Sequence, residues 1–220
     1  MKKSNIMNLI TGVTVAIVTI SLTGCASGNY QQGSKTGAGL TEAADKISSG
    51  EGKIDATLAA LNDLVNSSQG DLEIKYKKFN DSVSDLESTA NNVKDRVADM
   101  RKQGDKYLKA WDEQLATIKN EDIKNRSSQR KAEVQQKFTD IKRSYAEAGM
   151  LFKPFMSDLK DIQTALGTDL TVGGVSAIKG AADKANQDAG PLKNSVAQVV
   201  ADFKALGVAM SSSAPPAQPQ

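Results

Sequence analysis

The sequence contains no histidine, and its only cysteine is Cys25. Histidine is the commonest general base at neutral pH and the usual nitrogen ligand of zinc, so its absence argues against a Ser-His triad and an ordinary zinc site. A lone cysteine excludes an internal disulfide framework. Carboxylate pairs such as Asp112-Glu113 and Glu121-Asp122 fit a solvated helix face, and no calcium-loop spacing is present. We therefore expect a protein that is not an enzyme and that holds no cofactor or metal.

Aromatic residues are scarce, at 5% of the chain, and the net charge is only +2, from 28 basic and 26 acidic residues. Two of the basic residues, Lys2 and Lys3, precede an apolar stretch, and their removal with that stretch would leave 26 of each sign. No strongly basic surface is indicated, so we expect no nucleic-acid partner. Many Ala, Lys, Asp, Ser and Gln residues with few aromatics are typical of long helices around a narrow core.

The N-terminus has the pattern of a secretory signal. Lys2 and Lys3 form a short positive region, residues 6–22 are largely apolar and uncharged, and Leu22-Thr23-Gly24-Cys25 follows. This order predicts a signal peptide over residues 1–24, cleaved between Gly24 and Cys25. The apolar stretch is close to the roughly 18 residues at which a membrane helix becomes feasible, so an uncleaved anchor helix is the alternative.

Leu22-Thr23-Gly24-Cys25 resembles the lipobox of bacterial lipoproteins. The resemblance implies that Cys25 becomes the first mature residue and carries diacylglycerol and usually an amide-linked acyl chain such as palmitate. Two or three chains form a stable membrane anchor, because each buried methylene contributes about 0.8 kcal/mol. Ala26 follows the cysteine where an aspartate would favour the inner membrane. In Gram-negative lipoproteins this implies a location at the periplasmic face of the outer membrane.

The remainder of the chain divides into three parts. Residues 25–38 are rich in Gly, Ser and Gln and predict a flexible lipidated tether. Residues 39–209 predict a helical coiled-coil domain, and residues 210–220, rich in Ser and Pro, predict a disordered tail.

Apolar residues of the central part recur at alternating spacings of three and four, which keeps them on one stripe of a helix. The longest run is Leu72, Tyr76, Phe79, Val83, Leu86, Ala90, Val93, Val97, Met100, Gly104, Tyr107 and Trp111. Further runs begin at Leu40, Val134 and Val175. This pattern predicts an all-α fold, an elongated antiparallel bundle or coiled coil of three to four long helices. The helices are expected near residues 40–66, 71–119, 123–166 and 172–209.

The predicted boundaries fall where this register is interrupted. Residues 66–70 predict a turn, the polar residues 120–128 interrupt the apolar register, and Gly167-Thr168-Asp169 follows the third helix. Pro154 and Pro191 lie inside helical runs and predict bends, because each removes one backbone hydrogen bond. A complete break at Gly190-Pro191 is the alternative.

Residues across the central part also resemble a known group of proteins. They are Asp71-Leu72-Glu73-Ile74-Lys75-Tyr76, Asn80, Val93, Arg96, Trp111, Leu115, Ser127-Ser128, Tyr145, Met150 and Pro154. Together they resemble an uncharacterised family of Gram-negative lipoproteins defined by a domain of unknown function, over roughly residues 40–209. The resemblance implies a helical body in the cell envelope and no established activity.

Some members of that group carry the label of a DNA-repair ATPase. Here the nearest candidate for a phosphate-binding loop is Gly28 to Thr36, in which Ser34 separates the last glycine from Lys35. No predicted strand precedes it, as a phosphate-binding loop requires, so we expect no nucleotide site.

Two features leave alternatives open. Two clusters of aromatic and methionine residues occur at helical spacing, Met100, Tyr107 and Trp111 in one and Phe152, Phe155 and Met156 in the other. Core packing explains both, and a ligand or lipid pocket between helices is the alternative. Dispersed basic pairs fit solvated faces, with contacts to anionic lipid or glycan as the alternative; they are Lys77-Lys78, Arg101-Lys102, Arg130-Lys131 and Lys142-Arg143.

We therefore expect a non-enzymatic envelope lipoprotein that acts as a structural or interaction scaffold. Its expected partners are the membrane, through Cys25, and an envelope protein, with self-association as a further option. The alternative is a carrier that holds a hydrophobic ligand between its helices. A scaffold rod fills its seam between helices, whereas a carrier leaves a cavity near Trp111 or Phe152.

Overall fold

A computed structural model describes residues 26–67 and 69–210. Within these ranges the chain forms α1 (Ala26–Val65), α2 (Leu72–Thr117), α3 (Glu121–Thr168), α4 (Val172–Ala177) and α5 (Lys179–Met210), with a short 3₁₀ helix at Gln69–Asp71 and no strand. The all-α prediction is confirmed. The predicted signal peptide, its cleavage site at Gly24 and Cys25, and residues 211–220 lie outside the described residues.

The helices form an up-and-down antiparallel bundle with four legs. The first three legs are α1, α2 and α3, and the fourth is α4 followed by α5, which are separated only at Ile178. Each leg packs against two neighbours: α1 and α3 both contact α2 and α5. Because the connections between legs are short, consecutive legs must run in opposite directions.

Tertiary ion pairs and hydrogen bonds show the register of the bundle. The Lys53 ammonium lies 3.0 Å from Asp85 between α1 and α2, and Lys193 lies 2.8 Å from Asp55 between α5 and α1. The Thr57 hydroxyl is buried between α1 and α2, where it bonds the carbonyl oxygens of Lys53 and Ser82. Exposed ion pairs add little stability each, so apolar packing holds the legs together.

The core divides into two clusters along the bundle. The cluster near the 66–71 and 169–171 connections includes the fully buried side chains of Phe79, Phe155, Leu159 and Leu192. The cluster near the 118–120 connection includes Leu40, Met100, Ile141 and Phe203. None of the helices in the described ranges is long and apolar enough to cross a bilayer.

Polar caps begin the helices that follow the tight connections. The Asn120 side-chain oxygen accepts hydrogen bonds from the backbone amides of Asp122 and Ile123, at 3.0 and 3.1 Å. The Thr171 hydroxyl accepts from the amide of Gly174 at 3.1 Å. Such caps satisfy amides that have no partner within the first helical turn. The third helix therefore begins at Glu121, two residues before its predicted start, and the turn predicted at residues 66–70 is confirmed.

The prediction of a flexible tether over residues 25–38 is wrong for residues 26–38, because these residues belong to helix α1. Glycine lowers helix propensity by about 1 kcal/mol per residue, but here it permits close helix packing. A β-carbon added to Gly37 would lie 3.0 Å from the Gly207 carbonyl oxygen, and one added to Gly207 would lie 3.0 Å from the Gly37 carbonyl oxygen. Thr36, in the same turn, is only 1% exposed. The packing of α1 against α5 therefore stabilises this part of the helix more than its glycine content destabilises it.

Both internal prolines lie within continuous helices. Pro154 is inside α3 and Pro191 is inside α5. The prediction that neither reverses the chain is confirmed, and the alternative of a complete break at Gly190-Pro191 is wrong. Both prolines are exposed, so each ring lies on the outside of the bundle, where it does not disturb the core.

Candidate ligand groove between α2 and α3

The interface between α2 and α3, called here the α2/α3 seam, is closed at the end nearer the 66–71 connection. The Tyr76 hydroxyl donates a hydrogen bond to the Gln163 carbonyl oxygen at 2.8 Å, and the Gln163 side-chain amide donates to Asn80 at 3.0 Å. Nearer the middle of the bundle, about one turn from Gln163 on α3 and about two turns from Asn80 on α2, the Lys160 ammonium pairs with the Glu87 carboxylate. These polar contacts fix the two helices against each other at this end.

The same seam is closed at the other end by close packing. A β-carbon added to Gly104 would lie 2.6 Å from Cε1 of Phe138, so the Phe138 ring fits against the bare backbone of α2. The Trp111 indole donates to the Ser127 hydroxyl at 2.9 Å, and Lys131 lies 2.8 Å from Asp112. The Trp111 ring also lies 5.5 Å from that of Tyr107. Trp111 therefore helps to close this end of the α2/α3 seam.

Between these closures the seam opens into a groove. Within the described residues, no hydrogen bond or ion pair joins α2 to α3 between the Glu87–Lys160 pair and the Gly104–Phe138 contact. The groove has two chambers of about 260 and 560 Å³, which share Lys94 and Tyr145 as lining residues. Ligand pockets in proteins usually measure roughly 300–1,000 Å³, so the combined groove is within their size range.

The smaller cavity, called the Phe152 chamber, lies between the two core clusters. All four legs contribute to its apolar wall, which includes Ile54, Leu86, Val93, Phe152, Leu192 and Val196. The larger cavity, called the Phe138 chamber, adjoins the Gly104 contact. Its apolar wall includes Leu40, Val97, Met100, Phe138, Ile141 and Phe203. The groove therefore reaches inward to core residues and is not a shallow surface depression.

Small residues create the space in the Phe152 chamber. Gly50 of α1, Ala90 of α2 and Gly149 of α3 line it. A β-carbon added to Gly50 or Gly149 would meet no atom within 4 Å. Larger apolar residues at these positions would continue the seam as a filled coiled coil, so the groove results from the choice of small side chains.

Basic side chains surround the mouth of the groove. Lys94 and Lys153 line the Phe152 chamber, while Arg101, Lys102 and Lys142 line the Phe138 chamber, where Asp105 is the one acidic lining residue. Lys102 lies 3.8 Å from Asp99. In the part of the chain that the structure describes, the other four basic side chains form no ion pair. The mouth therefore carries a local excess of positive charge that favours anions.

Tyr145 lies where the two chambers meet and is half-buried. Burial raises the pKa of Tyr145 above its ordinary value of 10.0, because removal of water disfavours the phenolate. Burial also raises the pKa of Tyr107, which the positive charge of Arg130 partly opposes. At neutral pH the Tyr145 hydroxyl is therefore protonated and can donate a hydrogen bond inside a mostly apolar groove.

The structure separates the residues that the sequence grouped together. Phe152 and Met100 line the groove, whereas Phe155 and Met156 belong to the core and Tyr107 and Trp111 to the closed end of the seam. Of the two positions at which the carrier alternative would leave a cavity, Trp111 and Phe152, the groove lies beside Phe152. Residues 28–36, the candidate phosphate-binding loop, are part of α1. The described residues contain no group of three acidic or cysteine side chains arranged to hold a metal ion.

Sequence reasoning missed the small residues of the groove, and it named basic residues of the rim only as members of separate, dispersed pairs. Ala90 is one position of the three-four apolar pattern of the second helix. Gly50 and Gly149 lie next to the apolar stripes of their own helices. Small residues at the same level of the bundle in α1, α2 and α3 could have indicated the groove. This signal can be recognised only when the register between the helices is known. Likewise, Arg101 and Lys142 are 41 residues apart in sequence and line the same chamber only after α2 and α3 pair.

The fold and the groove together define an antiparallel four-helix bundle in which the α2/α3 seam is open between two closed ends. Within that class, the chain belongs to the family described as "Protein of unknown function (DUF2959)", whose family model matches residues 38–206. No curated protein and no solved structure matches the chain.

Proposed function

We propose that this protein is a non-enzymatic binding module that holds a hydrophobic ligand in the groove between α2 and α3. The observation that supports this proposal is the open, apolar middle of the α2/α3 seam beside Phe152. A rod built only for scaffolding would gain stability from a filled seam, since each additional buried methylene contributes about 0.8 kcal/mol. A ligand that covers the groove walls would recover that stabilisation by removing their apolar surface from water.

The proposal is tested by capturing the ligand inside cells. A photoreactive amino acid replaces Val93, which is half-buried in the groove, in the full-length protein. After irradiation, mass spectrometry measures the mass added to the peptide that contains position 93. The expected result is a reproducible adduct with the mass of a small hydrophobic molecule. A protein adduct without a small-molecule adduct would instead favour the interaction scaffold.

A matched pair of glycine variants controls for unspecific labelling. Gly50→Leu places a side chain into the Phe152 chamber, whereas Gly52→Leu alters the same helix two residues away. Neither glycine has an atom within 4 Å of an added β-carbon, so both variants should fold. We expect Gly50→Leu to remove the small-molecule adduct and Gly52→Leu to retain it. Equal adducts in both variants would contradict binding in the groove.

We also propose that an acylated Cys25 anchors the bundle to the periplasmic face of the outer membrane of a Gram-negative cell. The support is the Leu22-Thr23-Gly24-Cys25 sequence behind Lys2, Lys3 and an apolar stretch, with Ala26 after the cysteine. Cys25→Ser should remove the lipid mass from the N-terminal peptide and block cleavage after Gly24. A wild-type protein that retains residues 1–24 without an acyl mass would support the anchor-helix alternative.

The membrane assignment has its own test. Density-gradient fractionation should place the wild-type protein with outer-membrane markers. Ala26→Asp should shift it toward inner-membrane markers, whereas Ala26→Ser should not. A wild-type protein that fractionates with the inner membrane would contradict the outer-membrane location.

A further inference from the structure

The distribution of charge and apolar surface along the groove differs between its two chambers. Charged lining residues of the Phe152 chamber are limited to Lys94 and Lys153. The Phe138 chamber adds Arg101, Lys102 and Lys142, with Asp105 as the one acid. A molecule with one apolar and one anionic end would match this arrangement, because each end would contact the wall that suits it.

We infer that the ligand of the groove is a single-chain anionic amphiphile, whose acyl chain extends into the Phe152 chamber and whose anionic head group lies near Arg101 and Lys142 in the Phe138 chamber. This inference rests on the proposed function and specifies the chemistry of its ligand. A long-chain fatty acid is the simplest molecule of this class.

The length of the groove fits one acyl chain. Lys142 and Phe152 are ten residues apart in α3, which corresponds to about 15 Å at a rise of 1.5 Å per residue. The acyl chains of one bilayer leaflet span a similar distance, roughly half of the ~30 Å hydrocarbon thickness. A head group at Lys142 would therefore place the chain end beside Phe152.

The volume favours one chain over two. An apolar cavity of roughly 150 Å³ accommodates a benzene molecule. The Phe152 chamber, at about 260 Å³, is less than twice that size and has room for part of one chain. The head-group end is larger, at about 560 Å³, and its arginine and lysine side chains are exposed and can move toward an anion.

The basic side chains supply the selectivity for an anion. Arg101 is on α2 and Lys142 is on α3, so one head group between them would contact both walls of the seam. Within the described residues neither side chain forms an ion pair, so an anion would not displace an internal carboxylate. Protonated Tyr145, at the junction of the chambers, can donate a hydrogen bond to an oxygen of the same ligand.

The inference is tested with two probes that differ only in the head group. Membranes containing the full-length protein are irradiated with diazirine-labelled palmitic acid or with the matching diazirine-labelled hexadecanol, and peptide mapping locates the adducts. The diazirine is at the far end of the chain, so the expected adducts are on peptides lining the Phe152 chamber. The acid should label these peptides at least about fivefold more than the alcohol, which corresponds to ~1 kcal/mol.

Charge variants identify the head-group site. Arg101→Gln combined with Lys142→Gln should reduce labelling by the acid about fivefold and leave labelling by the alcohol unchanged. Lys78→Gln combined with Lys137→Gln is the matched control, because these exposed lysines are on the same two helices and do not line the groove. The control should retain the preference for the acid.

The outcomes separate the two proposals. Equal labelling of the groove by acid and alcohol, blocked by Gly50→Leu, would overturn the anionic ligand and retain the hydrophobic binding site. Labelling of the groove by neither probe would overturn both. A preference for the acid that survives Arg101→Gln with Lys142→Gln would overturn the assignment of the head-group site.

Discussion

Replacing Gly104 with alanine should destabilise the closed end of the groove. The added methyl carbon would lie 2.6 Å from Cε1 and 2.8 Å from Cζ of Phe138, whose ring is confined because the residue is only 9% exposed. Overpacking of this kind costs about 1–3 kcal/mol. In an ordinary helix interior the same change stabilises by about 0.5–1 kcal/mol. We therefore expect Gly104→Ala to lower the free energy of unfolding by up to about 2.5 kcal/mol.

Gly149→Ala is the matched comparison, because Gly149 is also inside a long helix and an added β-carbon meets no atom within 4 Å. It should raise the free energy of unfolding by about 0.5–1 kcal/mol, as helix propensity alone predicts. Urea unfolding followed by helical circular dichroism at 222 nm measures both variants. The two should differ by about 1–3 kcal/mol, the cost of overpacking.

A second substitution identifies the physical cause. Phe138→Leu removes the ring that the alanine methyl would meet, so in this background Gly104→Ala should lose most of its destabilising effect. The coupling energy from the double-mutant cycle measures the contact between the two positions. If Gly104→Ala stabilises as much as Gly149→Ala, close packing of Phe138 on α2 does not close this end of the seam.

Three further predictions concern the core, α3 and the groove tyrosine. Leu159→Ala should lower the free energy of unfolding by about 2–5 kcal/mol, because Leu159 is 0% exposed in the core; a loss below about 1 kcal/mol in urea unfolding would contradict that packing. Pro154→Ala should raise the free energy of unfolding by about 1–3 kcal/mol, because the exposed proline has no amide hydrogen to bond the Met150 carbonyl oxygen. No stabilisation would show that the bundle already accommodates the missing backbone hydrogen bond. The pKa of Tyr145 is raised in the folded state, so the unfolded state releases the phenolic proton first and the free energy of unfolding should fall as the pH rises above about 10. Tyr145→Phe should weaken this pH dependence in unfolding curves measured between about pH 9 and 11.5. An unchanged pH dependence would contradict the burial of Tyr145.

The helical regions could be predicted from the sequence because their apolar spacing is a local property. The run from Leu72 to Trp111 predicted the second helix near residues 71–119, and the structure has α2 at Leu72–Thr117. The caps at Asn120 and Thr171 are also local contacts, within three residues of each, but the predicted start near residue 123 did not include the Asn120 cap. Pairing of consecutive legs followed from the short connections between them.

The first turns of α1 could not be predicted in the same way. Residues 26–38 have a composition that by itself favours a flexible tether, because several glycines lower helix propensity. What stabilises the helix is the approach of Gly37 to Gly207, more than 160 residues later in the chain. A contact of that separation has no local signal, so the same glycines that predicted flexibility instead allow two backbones to touch.

The sequence by itself determined an all-α chain of long amphipathic helices, because the three-four spacing of apolar residues dictates one buried stripe per helix. Only the tertiary structure decided that the α2/α3 seam is closed by Phe138 at Gly104 and open beside Ala90 and Gly149. It also decided that Arg101 and Lys142 share one mouth. The physical reason is that a stripe specifies which side of a helix is buried, whereas the space between two helices depends on which residues of each lie at the same height.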